Sequence, residues 1–410
     1  MKVYIIKACA KGPFKEYKKY MAAPPQSIFS LAACTPSDVD IDMVDETVDM
    51  KINYKSDADI VAIFFSTPDA IRGYEIADKF RSLGKMVVLG GLHVKFNQKE
   101  ALIHCNSILV GEYEYTWTRL LIDYRLGEIA PIYESQKIVD LSYLSPFPRD
   151  IIPMSKYNYV WSVVVSRGCV NKCSYCLVNR FFEGMRYRPI NDVINEIKNS
   201  GAKVIELHSD NLTADREYAM ELFRRLKPLK IKWVGETTLN IADDEELLKL
   251  ASESGLSYLL VGIETPSRSA LMASDKDFLV VENVKRQIAK LHEYGIVVDS
   301  GMLFGFEEHD KDIFKETVEF VKNIKLDIAH GIIPIPFPGT RLYEKLDYEG
   351  KLLTKDWSKY DGRHLVYEHD NLSEEDIIEG IEYFEKETNT MSSLFSYLKF
   401  MWKMTAIYMK

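Results

Sequence analysis

Two successive α/β regions and a helical C-terminal segment are the fold class that this 410-residue sequence predicts. The first region reads as an open, doubly wound parallel sheet over residues 1–130. The second reads as a parallel barrel, or part of one, over 161–345, and 346–410 as helical. Three observations predict this. Short apolar runs recur without the polar alternation of a half-exposed strand, so each fits a strand buried on both faces. The stretches between them space their apolar residues three and four apart, as helices do. Between the two rhythms lie Ser145-Pro146-Phe147-Pro148 and Ile151-Ile152-Pro153. Such stretches cannot continue a helix or a central strand, which makes 131–160 a linker.

In the first region the expected strands are Val3–Ile6, Val39–Val44, Ile60–Phe65, Met86–Leu89 and Ser107–Val110. Helices are expected around Ile28–Ala33, over Tyr74–Leu83 with Ile76, Phe80 and Leu83 on one face, and over Trp117–Tyr124. Alternation of this kind implies a doubly wound sheet, whose ligands bind at the carboxyl ends of the strands. Ser66-Thr67 and Gly90-Gly91 stand at two such ends. Adjacent glycines allow a ligand or another backbone to approach closely.

Six strands are expected in the second region: Ser162–Ser166, Lys203–His208, Lys230–Thr237, Ser257–Ile263, Val297–Leu303 and Ile328–Pro334. Helical patterns separate them at Val193–Ile197, Tyr218–Leu226, Glu245–Ala251, Val284–Leu291 and Phe314–Val321. In parallel barrels the chemistry sits at the strand carboxyl ends. Those ends read His208-Ser209-Asp210-Asn211, Glu236-Thr237-Thr238, Gly262-Ile263-Glu264-Thr265 and Gly301-Met302-Leu303-Phe304-Gly305. His330, on the sixth strand, is expected as a satisfied core histidine, with a pocket-facing side chain as the alternative. Beyond the barrel, Ser373-x-x-Asp376 has the form of a capping box and opens a helix with Ile377, Ile378, Ile381 and Phe384 on its apolar face.

Bulk composition narrows the function. A net charge of −9 argues against a nucleic-acid backbone binder, which needs basic clusters. Six cysteines in 410 residues are too few for a disulfide scaffold. The chain opens on a short strand, with neither the apolar run of a signal peptide nor a stretch of about 20 apolar residues to span a bilayer. The expected setting is the reducing cytoplasm. The segment Leu394–Met409 is apolar on most sides, with Lys399 and Lys403 among its aromatics. It is expected to dock on the core or a partner copy, or to touch a membrane surface peripherally.

The three remaining cysteines carry the chemistry. Ser166-Arg167-Gly168-Cys169-Val170-Asn171-Lys172-Cys173-Ser174-Tyr175-Cys176 places them at C-x₃-C-x₂-C, in a short loop after the first barrel strand. Thiolates are soft ligands suited to iron–sulfur clusters, which normally take four. Three thiolates leave one iron with an open position, where a substrate or cofactor can bind. Zinc usually wants four ligands, often as two C-x₂-C pairs, and no second pair is present. Cys9, Cys34 and Cys105 are scattered singly and read as small buried hydrophobes.

The motif resembles that of the radical S-adenosylmethionine (SAM) superfamily, C-x₃-C-x-aromatic-C, with Tyr175 as the aromatic residue. The resemblance implies that Cys169, Cys173 and Cys176 hold a [4Fe–4S] cluster whose open iron chelates SAM. An electron from the cluster then breaks a carbon–sulfur bond of SAM and yields a 5′-deoxyadenosyl radical. It also implies a partial (β/α)₆ barrel. SAM would then meet Asp210, Thr237, Glu264 and the Gly301, Leu303 and Gly305 segment, where Leu303 would pack on adenine. A one-electron donor such as ferredoxin or flavodoxin is implied as a partner.

The first region is similar to the Rossmann-like cobalamin-binding domain of many radical SAM enzymes. The likeness lies in Leu89-Gly90-Gly91-Leu92-His93, Glu100-Ala101 and Val110-Gly111-Glu112. It implies cobalamin near Ser66, Thr67, Gly90 and Gly91. The chain departs from the histidine-ligating pattern D-x-H-x-x-G. Its first turn reads Cys9-Ala10-Lys11-Gly12-Pro13-Phe14, without histidine, and His93 is expected to be structural. Pro336-Phe337-Pro338-Gly339-Thr340 and Asp356-Trp357-Ser358 are similar to the same subfamily. The implied function is cobalamin-dependent C-methylation of an unactivated carbon in a small-molecule or lipid-like substrate. The alternatives are a cobalamin-free radical enzyme (carbon–carbon coupling, rearrangement or dehydrogenation) and a non-catalytic cofactor-binding sensor.

Overall fold

A computed structural model describes residues 1–12, 23–148, 150–157 and 160–388. The C-terminal segment Leu394–Met409, together with Pro13 and Phe14 of the first turn, lies outside the described residues. The chain forms two compact units. The first comprises Met1–Ser162 with Arg180–Pro189 and Asp356–Asp361; the second comprises Val163–Asn179, Ile190–Lys355 and the chain from Gly362.

The first unit is built on six parallel strands: β1 Lys2–Lys7, β2 Asp40–Asp45, β3 Ile60–Phe64, β4 Met86–Gly90, β5 Ser107–Val110 and β6 Ile132–Glu134. Their order is β2-β1-β3-β4-β5-β6. The order reverses between β1 and β3, which makes that crevice the switch point where ligands of open α/β sheets bind. β3 is buried at every residue, as its unbroken apolar run requires. Helices α1 (Gln26–Ala33), α2 (Ala70–Ser82), α3 (Leu92–Phe96), α4 (Gln98–His104) and α5 (Glu114–Leu126) connect the strands. β6 falls inside the stretch expected as linker. Three residues with one buried side chain, Tyr133, are too short a run to show a period.

The second unit begins within β7 (Val160–Val164) and carries β10 (Val204–His208), β11 (Lys232–Thr237), β12 (Leu256–Val261), β13 (Val297–Leu303) and β14 (Ile328–Ile332), the six adjacent in that order. The two-residue strand β8 (Ser166–Arg167) follows β7, and β9 (Arg186–Tyr187) belongs to the first unit. From β10 to β14 the pairings are parallel. This is the partial, six-stranded barrel. Its helices α7 (Ile190–Ser200), α8 (Arg216–Leu226), α9 (Glu245–Ser254), α11 (Val281–Glu293) and α12 (Ile313–Ile324) alternate with the strands, and α6 (Val178–Phe181) and α10 (Arg268–Ala273) are short insertions. Between strands and helices Phe223 stacks on Trp233 at 5.1 Å, and the Trp233 indole donates to Ser254 at 2.9 Å.

Several strand ends differ from the sequence pattern by one or two residues, two of them for identifiable local reasons. β11 begins at Lys232 because Lys230 takes a left-handed backbone (φ 52°) that ends the preceding turn. β14 stops at Ile332, two residues before the Pro334 that could not extend the ladder. After α13 (Arg341–Tyr348), the last described helix is α14 (Glu374–Thr388). Its start is the expected capping box: the Asp376 N–H donates to Ser373 Oγ at 3.1 Å and the Ser373 N–H to Asp376 Oδ2 at 3.1 Å.

Candidate active site

The three motif cysteines occupy one loop after β7–β8, each half-buried and free. The loop is pinned from several sides. The Gly168 N–H donates to Asp210 Oδ2 at 2.9 Å, at the carboxyl end of β10. Ser166 and Ser209 hydroxyls meet at 2.5 Å, and the Asn171 N–H points at Cys169 Sγ from 3.4 Å. The Ser174 N–H donates to Ser274 O at 3.0 Å and the Leu342 N–H to Ser174 O at 3.0 Å. Burial raises the Cys173 thiol and pushes Cys176 up to about 11, so both are protonated until a metal displaces the protons.

Among the described residues no three His, Cys, Asp or Glu side chains converge on a single metal ion. The Tyr175 ring packs on Phe306, centroids 5.9 Å apart, and against a small cluster of Ala270, Leu303 and Phe306. Its hydroxyl is buried and, apart from the Cys173 thiol beside it, has no hydrogen-bond partner. Buried hydroxyls seldom go unsatisfied, so one with only a thiol beside it at this place fits a bound group that the residues surround.

The remaining expected SAM residues are also placed at strand ends. Thr237 is buried, and its hydroxyl donates to Asn211 Oδ1 at 3.0 Å and meets Thr213 Oγ1 at 2.5 Å, bracing the loop after β10. Glu264 lies two residues past Gly262 in a left-handed conformation, φ 67°, which costs a non-glycine residue about 1–2 kcal/mol. The Leu303 N–H donates to its carbonyl at 2.6 Å, and its carboxylate pairs with Lys276 at 2.7 Å. Gly301 would meet the Ile332 side chain at 3.2 Å if it carried a Cβ. Gly305, φ 118°, is locked from both sides: the Tyr367 hydroxyl donates to its carbonyl at 2.8 Å, and His309 accepts its N–H.

Sequence reasoning named His208, Glu236 and His330 but missed Glu206, Tyr258 and Asp299, which complete the polar interior of the barrel. Register places Glu206, His208, Glu236, Tyr258, Asp299 and His330 on side chains that alternate with those buried against the helices. His208 Nδ1 and Glu206 Oε1 are 3.4 Å apart. Burial alone would lower His208, but Glu206, Asp210 and Glu236 together raise it. Glu236 is exposed at its strand end, yet desolvation by the surrounding barrel, together with Glu206 and Asp210, outweighs His208 and raises it to about 7. Asp299 Oδ2 accepts from the Tyr258 hydroxyl and faces His330 Nε2 at 3.3 Å. His330 is thus no enclosed core histidine: its side chain is 29% exposed and pairs with Asp299. Polar residues alternating along an apolar-looking strand were the available signal.

At the strand ends of the first unit the four expected cofactor residues have internal roles. A Cβ on Gly91, φ 110°, would lie 2.4 Å from Phe65 O, and one on Gly90 would lie 2.6 Å from the Phe64 ring. Ser66 Oγ donates to Asp69 at 2.7 Å. The Thr67 hydroxyl meets His93 Nδ1 at 3.3 Å. His93 is buried, faces Glu100 at 3.6 Å and packs on Trp357, whose indole donates to Glu100 at 2.8 Å. That fixes it as a structural histidine. No helix among the described residues is long and apolar enough to cross a membrane.

Comparison with known proteins gives three kinds of likeness. Residues 163–321 match the radical SAM superfamily. The bacteriochlorophyllide d C-8(2)-methyltransferase of Chlorobaculum tepidum is 31% identical over 360 residues, covering 83% of this chain and 80% of the relative. The bacteriochlorophyllide d C-12(1)-methyltransferase of the same organism is 26% identical over 382 residues, covering 90% and 83%. Among solved structures, the radical SAM methyltransferase TsrM from Kitasatospora setae, with cobalamin and a [4Fe–4S] cluster bound, superposes with a TM-score of 0.71 at 14% identity, covering 85% of this chain and 78% of that one. At that identity the likeness is one of fold.

Proposed function

The chain belongs to the radical SAM superfamily, and from that premise we propose that it is a cobalamin-dependent C-methyltransferase acting on a small molecule. One observation carries the reading. A single chain joins a C-x₃-C-x₂-C loop at a barrel strand end to a parallel sheet whose order reverses between β1 and β3. The names of its relatives, which span most of its length, support methylation. When bound, the cluster and SAM supply a radical that abstracts hydrogen from an unactivated carbon, and cobalamin supplies the methyl group.

The chain's own residues hold and orient. Cys169, Cys173 and Cys176 ligate the cluster, and Asp210 keeps their loop in place through the Gly168 N–H. Tyr175, Gly301, Leu303 and Gly305 form the apolar bed for SAM, with Asp210, Thr237 and Glu264 as its polar border. The barrel's interior polar groups, Glu206, His208, Glu236, Asp299 and His330, orient the substrate by hydrogen bonding. Cobalamin would lie at the strand ends that carry Ser66, Thr67, Gly90 and Gly91, with no histidine supplied to cobalt. Tetrapyrroles, the substrates named for the two bacteriochlorophyllide relatives, are the first class to test.

A second reading rests on Gly90, Gly91, Ser66 and Thr67, whose presence internal packing already accounts for. It is a cobalamin-free radical enzyme of the same superfamily. One experiment separates the two. Anaerobically purified, cluster-replete protein is given cobalamin, SAM labelled in the methyl group, bacteriochlorophyllide d and a chemical reductant as the electron source. Cobalamin uptake in the visible spectrum with label in the product supports methylation. 5′-Deoxyadenosine without uptake or label moves the assignment to the second reading.

A further inference from the structure

Lys276 follows α10, in the segment between β12 and β13, and its ammonium is almost wholly enclosed: the side chain is 9% exposed, and that of Glu264 is 13%. Nζ and Oε1 are 2.7 Å apart. The pair occupies space that Gly262 leaves free, since a Cβ there would lie 2.4 Å from Glu264 Oε1 and 2.5 Å from Lys276 Nζ. Three costs converge on this one contact. Two charges are taken out of water, a glycine interrupts a strand end, and Glu264 is held with φ at 67°. Well-packed apolar residues of similar volume would often be as stable.

The location suggests what offsets those costs. The loop that carries Lys276 is fastened to the cysteine loop. Ser274 O accepts the Ser174 N–H at 3.0 Å, between Cys173 and Cys176 in sequence. Arg341 ties the same two loops together, pairing with Asp275 at 2.8 Å and donating to Lys172 O. Lys276 is near enough for Cys173 and Cys176 to act electrostatically on it.

We propose that Lys276 and Glu264 form a matched charge pair that poises the cluster ligated by Cys169, Cys173 and Cys176. The Lys276 cation favours the reduced state, which carries one more negative charge. The Glu264 carboxylate offsets that cation and fixes its position. This rests on the cluster assignment above. Lys276 is a positioning residue here; it need not touch SAM or substrate.

The test is an anaerobic redox titration with dithionite, without substrate, followed by electron paramagnetic resonance of the reconstituted full chain. Lys276→Met should lower the midpoint potential, making reduction roughly tenfold less favourable, which is 59 mV for one electron. Glu264→Gln should raise it by a similar factor. The double variant, whose net charge equals that of the wild type, should return close to it. Lys276→Arg keeps the charge and should keep the midpoint. An unchanged midpoint in Lys276→Met with full iron content overturns the proposal, as does a shift of the same sign in Glu264→Gln. If Lys276→Met does not fold, the sign of the Glu264→Gln shift decides. A wild type that binds no cluster overturns the cluster assignment instead, a distinct failure visible in its iron content.

Discussion

His309 Nδ1 accepts the Gly305 N–H at 3.3 Å, so its proton sits on Nε2 and is donated to Thr265 Oγ1 at 3.2 Å. This neutral imidazole ties the β13 strand end to the segment that follows β12, and it is 1% exposed. Burial, with His369 nearby, lowers it from 6.5 to about 4. A depressed folded value gives stability that is full above 6.5 and lost as pH falls through about 4. His309→Gln should therefore lose its stability deficit relative to wild type as pH falls from 7 to 4. The change is on the order of 3 kcal/mol. Urea unfolding at a series of pH values measures it; a pH-independent deficit would count against the linkage.

Cys169, Cys173 and Cys176 are predicted to act as a set. Any one changed to Ala should remove most bound iron and abolish 5′-deoxyadenosine formation from SAM, because a cubane needs all three anchors here. Iron content and product analysis read this directly. A triple variant that retains a full cluster contradicts the assignment.

Gly91 is predicted to be a folding residue even without cofactor. Its φ of 110° and the Phe65 carbonyl 2.4 Å from any added Cβ mean that Gly91→Ala must shift backbone. The cofactor-free protein should lose about 1–3 kcal/mol, seen as a lower unfolding midpoint. A bulky residue at 91 consequently cannot serve as a clean probe of cobalamin binding. Loss of binding without loss of stability would assign the glycine to the ligand.

Thr237→Val is predicted to loosen the loop after β10 rather than to damage SAM contacts first. The change leaves Asn211 Oδ1 without the Thr237 donor and costs about 1–3 kcal/mol. Hydrogen exchange in residues 209–213 should accelerate. If SAM affinity falls while that exchange stays unchanged, Thr237 contacts SAM directly.

The strands, the order of α and β elements, the cluster loop and the α14 capping box were legible because each is local. An apolar run, a cysteine spacing or a Ser–Asp pair carries its meaning within a few residues of chain. His93 could be read as structural from its place after a glycine pair.

What only the tertiary structure decided depends on residues far apart in sequence. Gly91 owes its identity to the Phe65 carbonyl, and Thr237 is turned to Asn211 by the packing of neighbouring strand ends. The Glu264–Lys276 pair is invisible along the chain, since a buried charge declares itself only when its partner and the space left by Gly262 are seen together. His330 and Asp299 likewise join across two strands whose register no single-strand pattern reports. The sequence by itself determined which segments become strands and where thiolates gather. Long-range packing decided which polar groups face each other, because desolvation and electrostatic pairing act through space, not along the chain.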